Sequence, residues 1–299
     1  MIASIVGNYL MESGLITVDQ LHELLKEHRK VRVELGLIAV SEGLMTQEEA
    51  ERVRRLMTIS DMHFEEVAVY EQYLTQEQVE FLSNQISNPY YAFAQVLENQ
   101  QIMKVEELEE LSHRFKRDNQ YSDADMAALK SGNIDHIMML YLPDGSERYE
   151  VVAGIVIRSL MLMVDRNVWV KKTRLANRWE ANKGAYQEVT GHAGYTCGLV
   201  CDEDELAPIA SLYGHEHFMV VDEDALDAIG ELVNCINGSI AAERYGATDD
   251  LELCTPEFST NLDAVEGREF LVLSLRLLEQ DVELIISLED KIRFTERAL

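Results

Sequence analysis

The chain has 299 residues, 47% of them hydrophobic and 27% charged, with only four prolines, which is an ordinary globular composition long enough for two domains. Its formal charge of −28 argues against nucleic acid as a partner, because phosphate binding depends on clustered Lys and Arg. The same charge argues against docking on an anionic membrane surface.

Residues 1–20 carry no basic leader region and are interrupted by Glu12 and Asp19, so they do not read as a signal peptide. The longest apolar stretch, Val151–Val164, is broken by Arg158 and is too short to span a bilayer. The four cysteines form no CxxC pair, which points to a reduced, cytoplasmic protein. Cys197 and Cys201 lie in an apolar, strand-like run and read as small buried hydrophobes rather than a metal pair.

The N-terminal third reads as a helical repeat with a spacing of about 29 residues. The aligned segments begin at Gly14, Gly43, Gln72 and Gln101. Thr17, Thr46 and Thr75 stand at N-cap positions, with Gln20, Glu49 and Gln78 three residues later, a capping box each time; Lys104 replaces the threonine in the fourth. Gly14 and Gly43 end the preceding helices, where a left-handed φ is needed. Residues 1–117 are therefore expected to form an all-α helical-repeat domain without a catalytic constellation. The helix pair is weakly similar to the MshEN-type repeat of secretion ATPases, some of which bind cyclic di-GMP. The positions of that family's polar ligands fall on Ile5 and His28 here, so the domain reads instead as a helical adaptor. Arg52, Arg54 and Arg55 form a basic cluster, either a solvated face or a partner contact.

Residues 118–148 are turn-rich and mark a linker or boundary. From Tyr149 the period predicts a long helix with an apolar face, strands at Val168–Thr173, Tyr186–Thr190 and Tyr195–Cys201, and a helix over Glu203–Leu212. A strand at Phe218–Val221, a helix over Asp224–Arg244 and a hairpin of Phe270–Leu278 with Val282–Leu288 follow. Residues 149–299 are thus expected to be an α+β domain with one sheet and helices on one side. The final hairpin offers an edge for pairing in a homodimer.

The helix after Val221 is the most informative segment. At about 100° per residue, Ile229, Leu232, Val233, Ile236 and Ile240 fall on one face, while Asp227, Glu231, Asn234 and Gly238 share the opposite one. Spacing alone is equally that of a solubilising surface. The series Asp227-xxx-Glu231-xx-Asn234, followed by Gly238 and a downstream Pro256, resembles the CheC/CheX/FliY family of response-regulator phosphatases. Here the interval from Asn234 to Pro256 is one residue shorter than the family's usual form. The resemblance spans about residues 149–290, and a single ExxN makes the domain CheX-like rather than similar to the two-site CheC.

This resemblance implies a chemotaxis or other two-component signalling role, with a phosphorylated CheY-like receiver domain as substrate. The receiver would supply Mg²⁺, and the chain would need no cofactor or metal of its own. Catalysis would then consist mainly of placing a water in line with the phosphoryl group. The resemblance assigns that task to Asn234, gives Glu231 the receiver's active-site lysine to anchor, and leaves Asp227, Gly238 and Pro256 in support. A chain at −28 is not steered toward an acidic receiver pocket, so the Glu–Lys contact has to outweigh the field unless the N-terminal domain supplies targeting. The alternative is a non-catalytic receiver-binding adaptor or phosphate-signal sink. His215-Glu-His217 has the look of a metal site but lacks a third ligand, and Gly230, Gly238 and Gly246 are too scattered for a phosphate loop.

Overall fold

A computed structural model describes residues 2–246, 250–289 and 291–298. The described chain divides into two compact units, Ile2–Asn133 and Ile134–Leu299. The division falls within residues 118–148, but that stretch is no linker: it folds as the helix Asp123–Ser131 of the first unit and the helix Ile134–Tyr141 of the second, so the units extend beyond the expected bounds of 117 and 149.

The first unit is all-α. Its helices are α1 Ile2–Glu12, α2 Val18–Glu27, α3 Leu35–Ser41, α4 Gln47–Ser60, α5 Phe64–Tyr70, α6 Gln76–Asn84, α7 Pro89–Asn99, α8 Val105–Asp118 and α9 Asp123–Ser131. Helix α7 is the central one and buries Tyr90, Tyr91, Phe93, Ala94, Val96 and Leu97 against α1, α2, α3 and α8. Its buried polar groups have partners: Tyr90 donates to Glu109 at 3.0 Å, Tyr91 to Glu42, and Gln95 accepts from the Glu34 N–H at 3.0 Å. The capping boxes at Thr17, Thr46 and Thr75 are formed. At Lys104 the backbone N–H alone is satisfied, by Glu107 at 2.8 Å. Gly14 and Gly43 take positive φ, and so do Gln72 and Gln101, where a side chain makes that conformation costly.

The second unit is α+β. It opens with α10 Ile134–Tyr141 and, after a 3₁₀ turn at Glu147–Tyr149, α11 Glu150–Met163. The strands β1 Trp169–Glu180, β2 Lys183–Thr190 and β3 Tyr195–Cys201 follow, then α12 Ala207–Gly214 and α13 Glu223–Ile240, which runs into a π-helical turn at Ala241–Tyr245. The chain closes with β4 Glu252–Leu253, β5 Glu257–Ser259, β6 Leu262–Leu277, β7 Gln280–Leu288 and β8 Arg293–Glu296. Among the described residues the strands form one antiparallel sheet in the order β1-β6-β7-β3-β2-β4, with β5 on β2 and β8 on β6.

Helix α13 lies on β2, β3 and β5, and α11 runs beside it. Every residue of β3 is buried, so its opposite face is covered too. That cover comes from β6. Its pairing with β1 jumps from Ala176↔Phe270 to Arg178↔Glu266, leaving Gly267, Arg268 and Glu269 opposite Asn177 alone. Such a bulge bends a strand. Leu262, Val265 and Phe294 beyond it cluster with Val200, Val272 and Ile285 of the sheet.

Several expectations need correction. Phe218–Val221 is irregular rather than a strand, because its backbone bonds go to side chains: Phe218 N–H to Ser211 Oγ at 2.9 Å and Val221 N–H to Asp204 Oδ1 at 2.7 Å. Helix α12 starts at Ala207 instead of Glu203, with Pro208 in the first turn that proline favours. The first strand is longer than its apolar alternation indicates, since two register shifts break the phase. The β6–β7 hairpin pairs as expected, but its turn is Leu278-Glu279, both at positive φ, and it lies between β1 and β3 inside the sheet rather than offering an edge for pairing.

Candidate functional site

Helix α13 is fixed at its start by Asp222, whose side chain accepts from the Ala225 N–H at 3.0 Å, with Glu223 and Asp224 at the positive end of the dipole. The chain entering it is tied to β2 through Asp204, which accepts from both Val221 N–H and Lys183 Nζ at 2.8 Å. Lys183, and then the Val221 N–H, hold that carboxyl below the usual range. Ile229, Leu232, Val233, Ile236 and Ile240 are fully buried, so the opposite stripe faces outward.

On that stripe Asp227 and Glu231 are exposed, and Asn234 and Gly238 half-buried. Neither carboxylate has an ion pair or hydrogen bond among the described residues. With Asp224, Glu216, Tyr213 and Phe218 they line a shallow depression between α12 and α13. The Tyr213 hydroxyl lies 3.0 Å from the exposed Cys235 Sγ. Burial, then Cys235 and the charge of Glu231, push this phenol up to about 12. Above Gly238 there is open space, with nothing within 4 Å of a built Cβ.

Asn234 is held from behind. Gln187, 1% exposed on β2, donates from Nε2 to Asn234 Oδ1 at 2.7 Å and to the Cys254 carbonyl at 2.7 Å. Its Oε1 accepts from Nδ2 of the buried Asn237 at 2.8 Å, and the Asn237 carbonyl takes the Tyr195 hydroxyl at 2.8 Å. Pro256 reaches α13 at Gly230, where a built Cβ would sit 3.2 Å from the proline's own.

The structure thus brings Asp227, Glu231, Asn234 and Gly238 onto one outward stripe and sets Pro256 against the neighbouring flank. A free carboxylate can take a partner's cation, and one turn away a fixed carboxamide can meet a polar atom. The sequence reading missed Gln187 and Asn237. Both carried a signal, since each is a polar residue in the buried phase of its own element. Cys197 and Cys201 are buried in β3, where burial pushes both thiols up to about 12. His215 ends α12 at a left-handed φ of 54°, and among the described residues no three His, Cys, Asp or Glu groups are arranged to hold a metal. No described helix is long and apolar enough to cross a membrane.

No family model and no curated protein sequence matches the chain. Solved structures of CheC-like and CheX proteins match its C-terminal half. A CheC-like superfamily protein from Shewanella sp. PV-4 is 14% identical over 46% of this chain and 94% of its own, with a TM-score of 0.40. The chemotaxis protein CheX from Desulfovibrio desulfuricans is 15% identical over 48% and 99%, with a TM-score of 0.41. CheX in the CheX–CheY–BeF3–Mg complex of Borrelia burgdorferi is 16% identical over 46% and 96%, with a TM-score of 0.33. The C-terminal half of the chain is thus similar to CheC-like and CheX chemotaxis proteins.

Proposed function

We propose that the C-terminal unit hydrolyses the aspartyl phosphate of a CheY-like receiver domain. The observation that carries this reading is the pairing on α13 of two unlike groups. Glu231 is exposed and unpaired among the described residues, while Asn234 one turn on is tethered from beneath by Gln187. An unpaired carboxylate suits the receiver's active-site lysine, and a held carboxamide suits an attacking water or a phosphoryl oxygen. Asp227 adds to the negative potential beside Glu231, and the bare Gly238 lets the receiver's backbone come close. The receiver brings its own Mg²⁺ to neutralise the phosphoryl oxygens, so this chain supplies position rather than covalent chemistry. The reading places the protein in the cytoplasm, where its receiver substrate works.

The test is phosphate release from a phosphorylated receiver in the presence of wild type and of Asn234→Ala. Release faster than the receiver's own decay with wild type, and not with the variant, is the expected result. Equal rates at the receiver's own decay would remove the enzyme and leave a receiver-binding adaptor.

A further inference from the structure

The Cys254 carbonyl oxygen can only accept a hydrogen bond. The terminal Gln187 atom that lies 2.7 Å from it also lies 2.7 Å from the inner carboxamide atom of Asn234. That Gln187 atom is therefore nitrogen, and the Asn234 atom facing it is oxygen, because two amide nitrogens make no hydrogen bond to each other. One step further in, the other end of Gln187 is oxygen, and the fully buried Asn237 meets it with nitrogen at 2.8 Å. Asn237 keeps a buried side-chain oxygen without a partner. The donations run from Asn237 through Gln187 to Asn234, and one backbone carbonyl sets their direction.

We infer that Gln187 is a positioning residue that locks Asn234 with its NH₂ turned outward, so that Asn234 meets the partner's phosphoryl centre as a hydrogen-bond donor. The Nδ2 atom is not among the buried polar atoms lacking a partner and makes no bond within the described protein. Oδ1 already accepts from Gln187. An outward donor is suited to an oxygen lone pair, that of the attacking water or of a phosphoryl oxygen. Glu231, acceptor only, and Asn234, donor outward, then face a cation and an oxygen in a fixed order along the helix.

The rate readout rests on the hydrolysis proposed above; the relaxation readout does not. In the wild-type chain of 299 residues, nitrogen relaxation of the Asn234 side-chain NH₂ gives an order parameter in the rigid range, about 0.8, and Gln187→Met lowers it below about 0.6. Asn237→Ala removes the inner end of the chain, lowers the value in the same direction, and takes over the test if Gln187→Met does not fold. An unchanged value in a folded variant overturns the positioning role, whatever the activity.

With a CheY-like receiver phosphorylated by acetyl phosphate, Gln187→Met slows release at saturating receiver about tenfold. Its dissociation constant for the beryllofluoride-loaded receiver shifts by less than about twofold. Weaker binding with an unchanged saturated rate contradicts the role. Asn234→Asp keeps the inner oxygen but turns the outward NH₂ into oxygen, and it releases phosphate as slowly as Asn234→Ala. More than about a tenth of the wild-type rate in the Asp variant overturns the donor assignment. If Asn234→Ala itself matches wild type, hydrolysis falls, and the relaxation comparison alone decides the position of the amide.

Discussion

Pro256 rests on Gly230: a Cβ built at position 230 would lie 3.2 Å from the proline's Cβ, whereas one at Gly238 on the same helix meets nothing within 4 Å. The two glycines therefore separate a packing role from an open one. Alanine in mid-helix gains about 0.8–1 kcal/mol over glycine. Gly238→Ala should stabilise the protein by close to that amount in urea unfolding. Gly230→Ala should gain clearly less, because its methyl presses on Pro256. Equal gains would mean that the proline contact is slack.

Gly238→Ala also tests the proposed partner face. If a receiver backbone approaches this stripe, the added methyl weakens receiver binding while raising stability, two effects of opposite sign from one substitution. Titration calorimetry with a beryllofluoride-loaded receiver would measure the first and thermal unfolding the second. Unchanged affinity would place the receiver elsewhere.

Glu231→Gln removes charge but keeps shape. Loss of a charge-assisted bond to a lysine is expected to raise the dissociation constant for the receiver about tenfold, or about 1.4 kcal/mol. The salt dependence of binding should flatten with it. An affinity equal to wild type would remove Glu231 as the anchor.

The turn between β6 and β7 places Leu278 at φ 47° and Glu279 at φ 65°, and Gln72 after α5 stands at 63°. Left-handed backbone costs a non-glycine residue about 1–2 kcal/mol. Glu279→Gly and Gln72→Gly should each stabilise by about 1 kcal/mol, read as a higher midpoint in thermal unfolding. The ion contact between Glu279 and Arg276 is long, at 4.0 Å, and solvent-exposed, so its loss costs little.

Glu283 offers a pH test. Burial pushes its carboxyl up, against the Ser274 hydroxyl, which donates to it at 2.7 Å, and the charges of Arg174 and Lys171. A raised carboxyl favours the folded state while protonated. That contribution is full below the unfolded value near pH 4.3 and is lost as pH rises through the folded value. Glu283→Gln should therefore be more stable than wild type at pH 7, with the difference vanishing near pH 4. A gain equal at both values would assign the effect to packing.

What could be read in advance follows from the range of the forces involved. Capping boxes such as Thr46 with Glu49 are local, and so is the apolar stripe of α13; both were legible in the sequence. Phe218–Val221 misled because its apolar character matches a strand, while the bonds that shape it come from Ser211 and from the distant Asp204. Gln187 and Asn237 lie far apart in the chain, and no periodicity joins a strand residue to a helix residue. Strands β4, β5 and β8 are too short to carry an alternation and exist because β2 and β6 offer them an edge.

The tether on Asn234 separates it from Glu231 in time as well as in chemistry. A surface side chain immobilised on docking loses about 0.5–1.5 kcal/mol of rotamer freedom. In the proposed complex Glu231, unpaired among the described residues, would bear that loss at each encounter, but it could also sweep for a cation before the surfaces meet. Asn234 surrendered its freedom when the chain folded and is pre-organised before any partner arrives. A receiver caught by the moving carboxylate would find the amide already aimed, and the step after capture would need no search.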